Sequence, residues 1–191
     1  MKWLRRLGVG LLVAVTLSVL GHFALRWWAR PIPPEITFSS QPELVNDGAF
    51  SSFGASWSLQ RSALREVHLA GTPADIGLAH GRLLREGSLA AEGALYADLN
   101  RRIPSRLLRT VLFDAAQLRF HDVAAGFSAE RRAELAGQAV GMQPDPYAGL
   151  FPTYQRLVYL NAVYDMALSF EHSPLVGCTT FTLKSEATSK I

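Results

Sequence analysis

From Leu7 to Leu25 the chain reads LGVGLLVAVTLSVLGHFAL, nineteen residues without a formally charged side chain. At 1.5 Å rise per residue a helix of that length spans roughly 28 Å, about the thickness of a bilayer's hydrocarbon core. Lys2, Arg5 and Arg6 precede it, and Trp27 and Trp28 follow it. Cations favour retention of the preceding end in the cytoplasm, and indoles prefer the membrane interface. The pattern predicts a single-pass anchor over 7–25, with residues 1–6 cytoplasmic and the body exported, to the periplasmic side in a bacterium. A cleaved signal peptide is the rival reading, but it requires small residues at −3 and −1 of the cut. Ala24 has His22 at −3 and Ala29 has Trp27.

Residues 26–60 read as a linker. Pro31-Ile32-Pro33-Pro34 favours an extended start, and Ser39, Ser40, Pro42, Asn46, Asp47 and Gly48 supply turn chemistry. The run from Gly48 to Gly54 shows no helical period. A strand is predicted over 64–69, with Leu64, Val67 and Leu69 as its apolar members and Gly71 as its breaker. Thr72 is then an N-cap, with Pro73 at the first helical position and Asp75 in the first turn. Ile76, Ala79, Leu83 and Leu84 recur at three- and four-residue steps and define the buried face of a helix that continues to about Leu99.

Pro104 and Ser105 open a second helix, to about His121, with Leu108, Val111, Leu112, Ala115 and Leu118 as its apolar stripe. Ser128 caps a third, which carries Leu135 and Val140 and has Glu130 at its positive end. Residues 141–146 form a loop. A fourth helix runs from about Thr153 to Phe170, with Leu157, Leu160, Tyr164 and Leu168 on one side. Leu175 to Leu183, rich in Val, Thr and Phe, reads as a strand. The fold class expected is therefore an N-terminal transmembrane helix followed by a mainly α-helical segment ending in a strand.

Charge changes one inference. The net charge is +3, but Lys2, Arg5, Arg6, Arg26 and Arg30 lie in the first thirty residues, where there is no acid. Without those five, fourteen basic side chains remain against sixteen acidic ones, a net of −2. A net-negative body with no basic run gives no electrostatic reason to expect nucleic acid as a partner. Paired His or Cys spacings, a phosphate-cradling glycine loop, a dinucleotide fingerprint and a GxSxG elbow are all absent from the sequence, so neither a metal nor a cofactor is expected.

The chemistry concentrates at Cys178, the only cysteine. Gly177 precedes it, and a glycine carbonyl is open to attack by the neighbouring thiol. An N-to-S acyl shift followed by hydrolysis would free Cys178 as a new N-terminus. Its thiol would then sit beside an α-amine of pKa about 8, a built-in general base.

Gly177-Cys178-Thr179-Thr180-Phe181 resembles the cleavage site of the cysteine-type N-terminal-nucleophile hydrolases, the autoproteolytic family that includes isopenicillin-N acyltransferase. Upstream, Gly71-Thr-Pro-Ala-Asp-Ile-Gly77-Leu-Ala-His80-Gly81 resembles that family's strand–glycine–helix segment. The two motifs and the helices between them cover about residues 65–183. The resemblance implies an αββα sandwich, with 61–177 as a helical α-chain region and 178–191 as the start of the nucleophile-bearing β-chain. It also implies a small-molecule amide or acyl substrate, a thioester on Cys178, and Thr179 and Thr180 as residues that hold the strand and support the substrate. Thirteen residues come after Cys178, whereas the family's sandwich is built mostly from the chain that begins with the nucleophile. The chain therefore reads as a truncated member, inert unless a second chain completes the fold.

Blander roles compete at several positions. A lone cysteine is commonly a buried structural thiol. His80, a candidate to contact the substrate or to support a group that does, reads rather as a histidine packed on its helix face with its ring nitrogens satisfied locally. Gly77 and Gly81 read as points of close helix packing, and Asp75 as a first-turn acid. Phe151, Tyr154, Tyr159 and Tyr164 would serve either as core or as an aromatic docking surface. The alternative to an enzyme is a non-enzymatic, membrane-anchored helical interaction module.

Overall fold

A computed structural model describes residues 2–40 and 42–168. Its first element is the helix α1, Lys2–Trp28, of which Arg5–Trp28 is long and apolar enough to cross a membrane. Residues 5–21 are exposed along their whole length. Among the described residues, the body grips only the final turns of α1, through His22, Leu25 and Arg26, and the buried Ala29 just past its end.

The segment expected to be a linker is structured. Leu44–Asp47, Phe50–Phe53 and Ser56–Arg61 form strands β1 to β3, and Leu64–His68 forms β4. The four make an antiparallel meander in the order β1-β2-β3-β4. Its three turns place Gly48, Gly54 and Ser62 at positive φ, as tight hairpin turns demand. Phe53 and the Ser56 and Ser58 side chains are buried on the side that meets the next helix, while β4 is exposed at every position. The expected strand over 64–69 thus forms, but as a solvated edge strand rather than one with a buried apolar set.

Helix α2, Pro73–Leu83, begins as the sequence predicts. The Thr72 side chain accepts from the Asp75 backbone N–H, and the Asp75 carboxylate accepts from the Thr72 backbone N–H, a complete capping box. The expected single helix to Leu99 is instead two, because α2 stops at Leu83 and α3 occupies Arg85–Arg102, with Leu84 between them out of helical geometry. Helix α4, Arg106–Arg119, is capped by Ser105 and followed by a short 3-10 turn at Val123–Gly126. Helix α5, Ala129–Gly141, is capped by Ser128, and helix α6 spans Thr153–Leu168.

Two glycine pairs set the tightest packing. A Cβ at Gly77 would lie 1.8 Å from the Glu134 carbonyl oxygen, and one at Gly81 would lie 2.6 Å from that of Gln138. Across the contact, Gly137 and Gly141 would meet the carbonyls of Ala74 and Leu78 at 2.2 and 2.5 Å. The i, i+4 spacing aligns each pair on one helix face, so the α2 and α5 backbones touch without side chains between them. Leu78, Ala79 and Leu83 of α2 pack with Phe53 of the sheet, and Leu135 and Met142 pack with Tyr154, Leu157 and Val158 of α6.

The stripe expected of α4 is present but faces the other way. Leu108, Val111, Leu112, Ala115 and Leu118 are all exposed, while Phe113, Gln117 and Phe120 turn toward the body. Val140 of α5 is likewise exposed, although Leu135 is fully buried. The strand expected at 175–183 lies outside the described residues.

Candidate functional site

The densest arrangement of functional groups joins α3, α6 and the loop between α5 and α6. Arg156 lies in the first turns of α6, where the periodicity that buries Tyr154, Leu157 and Val158 also buries it. Its Nε donates to Glu92 Oε2 of α3 at 2.5 Å and its Nη2 to Asp145 Oδ2 of the loop at 2.6 Å. All three side chains are 8 % exposed or less. Nη1 donates to the Phe151 carbonyl at 3.3 Å. Asp145 also accepts from the Thr153 hydroxyl at 2.5 Å and from the Tyr147 backbone N–H at 2.9 Å. Arg85 donates to the carbonyls of Met142 and Pro144, so a second guanidinium fixes the same loop.

The electrostatics arise from two carboxylates sharing one guanidinium in a dry site. Burial pushes the Glu92 carboxyl above its ordinary range, opposed by Arg156 and reinforced by the Asp145 charge. Burial pushes Asp145 the same way, but the combined donors, Thr153 and Arg156 foremost, outweigh it and hold Asp145 below its ordinary range. Arg156 loses by burial and gains more from its two carboxylates, so it stays charged. The group is internally satisfied, which makes it a clamp between helices.

Beside the clamp is a half-open cavity of about 240 Å³ between α3, α4 and α6. Leu95, Leu99, Phe113, Ala116, Tyr159 and Val163 supply much of its almost wholly apolar lining, and Glu92 and Arg156 lie at its wall. Phe151 closes one side by packing edge-on against Phe113 and Tyr159. Phe151 and Tyr154 are therefore core residues rather than a docking surface. Such a space takes an apolar group and gives it no hydrogen-bonding partner to specify orientation.

A second, more polar cleft opens between the sheet and the start of α2, lined by Ser39, Ser40, Ser56, Gly71 and Asp75. The Ser39 hydroxyl donates to Asp75 Oδ2 at 2.7 Å and its backbone N–H to Oδ1 at 3.0 Å. The Ser39 and Thr72 hydroxyls hold the Asp75 carboxyl at about 2, well below its ordinary range. Gly71 has φ of +126°, open to glycine and closed to other residues, and it gives Asp75 room to close the capping box. Asp75 is thus the first-turn acid the sequence suggests.

Of the residues singled out by sequence, Gly177, Cys178, Thr179 and Thr180 lie outside the described residues. His80 is half-buried on α2; burial lowers its pKa, the charge of Glu134 opposes this and that of Arg131 adds to it. His121 ends α4 and stacks on Trp28 at 4.5 Å between ring centroids. Sequence reasoning missed the clamp. Its signal was a lone arginine at a core position of α6, two residues after Tyr154 and one before Leu157. No protein-family model, no curated protein and no solved structure matches this chain.

Proposed function

We propose that this chain, with a second chain completing the fold, forms a membrane-anchored acyltransferase or amidohydrolase of the cysteine N-terminal-nucleophile kind, matured by cleavage between Gly177 and Cys178. Its body forms part of an αββα sandwich, with the N-terminus of α1 on the cytoplasmic side. The observation that carries the reading is the Gly71–Gly81 segment. It follows the edge strand β4 and folds as a glycine at positive φ and a capped helix, so that strand, glycine and helix come in the order that the resemblance implies. The exposed edge at β4 further supports it, because a sandwich built across two layers needs a sheet open to more strands.

In maturation, the Cys178 thiolate attacks the Gly177 carbonyl carbon. The Gly177–Cys178 C–N bond breaks, the departing nitrogen takes a proton, and a thioester links Gly177 to the Cys178 sulfur. Water cleaves the thioester, leaving a carboxylate on Gly177 and a free α-amine on Cys178. In turnover, the α-amine takes the thiol proton and the thiolate attacks a substrate amide carbonyl. The α-ammonium returns the proton to the departing amine, and water or a second amine then removes the acyl group from sulfur. The apolar cavity beside Glu92 and Arg156 suits the alkyl part of a lipophilic acyl group.

A non-enzymatic, membrane-anchored module is the second reading. It is favoured by the Glu92–Arg156–Asp145 clamp, whose charges bond to one another and offer none to a substrate. Intact-mass spectrometry and N-terminal sequencing of the full-length product from membranes separate the two. The enzyme reading expects a chain beginning at Cys178, and a Cys178→Ala variant that stays uncut and does not hydrolyse a long-chain N-acyl amide. An uncut wild-type chain that hydrolyses such an amide overturns the mechanism, and an uncut, inactive one with no second chain co-purifying favours the module.

A further inference from the structure

We infer that the groove between α3, α5 and α6 binds a small primary alkylammonium ion, its nitrogen held by Glu92 Oε1 and the Gln138 side-chain amide. The inference does not depend on the reading of Cys178.

The groove has a volume of about 300 Å³ and adjoins the apolar cavity, with Glu92 in the wall of both. Ser88, Glu92 and Leu95 of α3 line it, with Gln138 of α5 and Leu157 and Leu160 of α6. The i, i+4 step from Ser88 to Glu92 sets both on one face of α3.

Two polar side chains meet the groove with bonding capacity unused. Glu92 gives Oε2 to Arg156, and its Oε1 is left outside the clamp, accepting nothing from the described residues. That oxygen is not sealed within the protein. Because the neighbouring cavity is almost wholly apolar, the oxygen opens on the groove. Gln138 is only 7 % exposed, and its side-chain amide bonds to none of the described residues. Burial strips most of the water from an amide, so idle donors and acceptors at this depth are costly unless something in the groove meets them.

Charge decides the class of ligand. Glu92 and Asp145 are two acids around the single cation Arg156, which leaves one negative charge in excess. Asp145 uses both oxygens, on the Tyr147 N–H and on Thr153 with Arg156, so the excess falls on Glu92. Water can fill the bonding capacity of Oε1 but cannot balance its charge. Arg131, which bonds the Asn161 amide at the lip of the groove, is already matched by Glu134 at 2.6 Å. An ammonium group brings three donors, for Glu92 Oε1, the Gln138 amide oxygen and the Ser88 hydroxyl. The three leucines accommodate a short alkyl chain, and the modest volume limits it to a few carbons.

The test titrates n-butylammonium chloride into the nitrogen-15-labelled full chain in dodecyl maltoside, at neutral pH and constant ionic strength, with n-butanol as the neutral isostere. The readout is the Gln138 side-chain amide resonance, identified by its loss in Gln138→Leu. The expected result is a saturable shift with butylammonium and none with butanol. In a folded Glu92→Gln variant the apparent Kd should rise about tenfold or more, the loss of one charge-assisted hydrogen bond. Equal shifts with butanol and butylammonium overturn the inference, because the groove then takes apolar groups without regard to charge. So does a wild-type chain with no saturable shift, or a Glu92→Gln variant that binds as tightly as wild type.

Discussion

Arg156 Nε and Glu92 Oε2 are 2.5 Å apart in a pocket where neither side chain is more than 8 % exposed. Because Asp145 occupies the other face of the same guanidinium, the cluster holds two acids and one base. Removing the base leaves two buried carboxylates without a counterion. Arg156→Met is therefore expected to lower stability by about 3–5 kcal/mol. Glu92→Gln removes the surplus charge, leaves the Asp145 pairing intact, and costs about 1 kcal/mol or less. The sign with pH is definite. With its folded pKa raised, Glu92 favours the folded state most when protonated, and stability falls as pH rises from the ordinary carboxylate range through the folded value. Urea melts of the full chain in mild detergent measure both effects, and the Gln variant should lose that slope. An Arg156→Met variant as stable as wild type would show that the cluster is not sealed.

The glycines of the α2–α5 contact make a comparison within one protein. A methyl at Gly77 would meet the Glu134 carbonyl at 1.8 Å, whereas at Gly87, in α3, it would meet nothing within 4 Å. Gly77→Ala must push two helix backbones apart, and overpacking of this kind costs about 1–3 kcal/mol or more. Gly87→Ala gains helix propensity, up to about 1 kcal/mol. Opposite shifts of the urea midpoint are expected. A neutral Gly77→Ala would mean that α2 and α5 are not in direct backbone contact.

The starts of helices were legible in the sequence, because caps are local: Thr72 with Pro73 and Asp75, Ser105, and Ser128 each announce an element within a few residues. Strands β1 to β3 were not. They are four to six residues long, β2 and β3 are rich in serine, and only Phe53, Ser56 and Ser58 are buried, so these strands leave little hydrophobic alternation to read. The turn glycines at 48 and 54, flanking a strand of four residues, were the available sign. The α4 stripe was legible as a period but not as a direction, since Leu108 and Leu112 suit lipid as well as core. The clamp was hidden because Glu92, Asp145 and Arg156 come from three elements whose meeting only the fold decides.

Two groups near the start of the body set opposite parts of the pH profile. Burial lowers the pKa of His80, so the unfolded chain binds its proton more readily, and stability is lost as pH falls through the ordinary histidine range. His80→Gln should flatten stability between neutral pH and about pH 5. Asp75, held at about 2 by the Ser39 and Thr72 hydroxyls, contributes stability above the ordinary carboxylate range and loses it as pH falls toward 2. Asp75→Asn should remove that acid limb and cost about 1 kcal/mol at neutral pH through the broken capping box. Midpoints from urea melts across pH 2–8 separate the two, since the limbs do not overlap. A His80→Gln variant with the wild-type slope would assign the neutral limb to another group.

The apolar cavity gives the last expectation, because its filling and its use pull in opposite directions. Ala116 lines the cavity on α4, facing α3 and α6. Ala116→Leu adds three carbon atoms to a space of about 240 Å³, which accepts them without displacing a neighbour. At about 0.8 kcal/mol per buried methylene the gain is at most about 2.4 kcal/mol. Ala116→Asp places an unpaired carboxylate against apolar walls and is expected to be strongly destabilising. If the cavity receives the alkyl part of an acyl substrate, the leucine variant of the full-length enzyme should raise KM for long N-acyl amides and leave short ones unchanged. Stabilisation with unaltered KM for the long substrates would separate the cavity from the chemistry of Cys178, and destabilisation by leucine would show that the space is already filled.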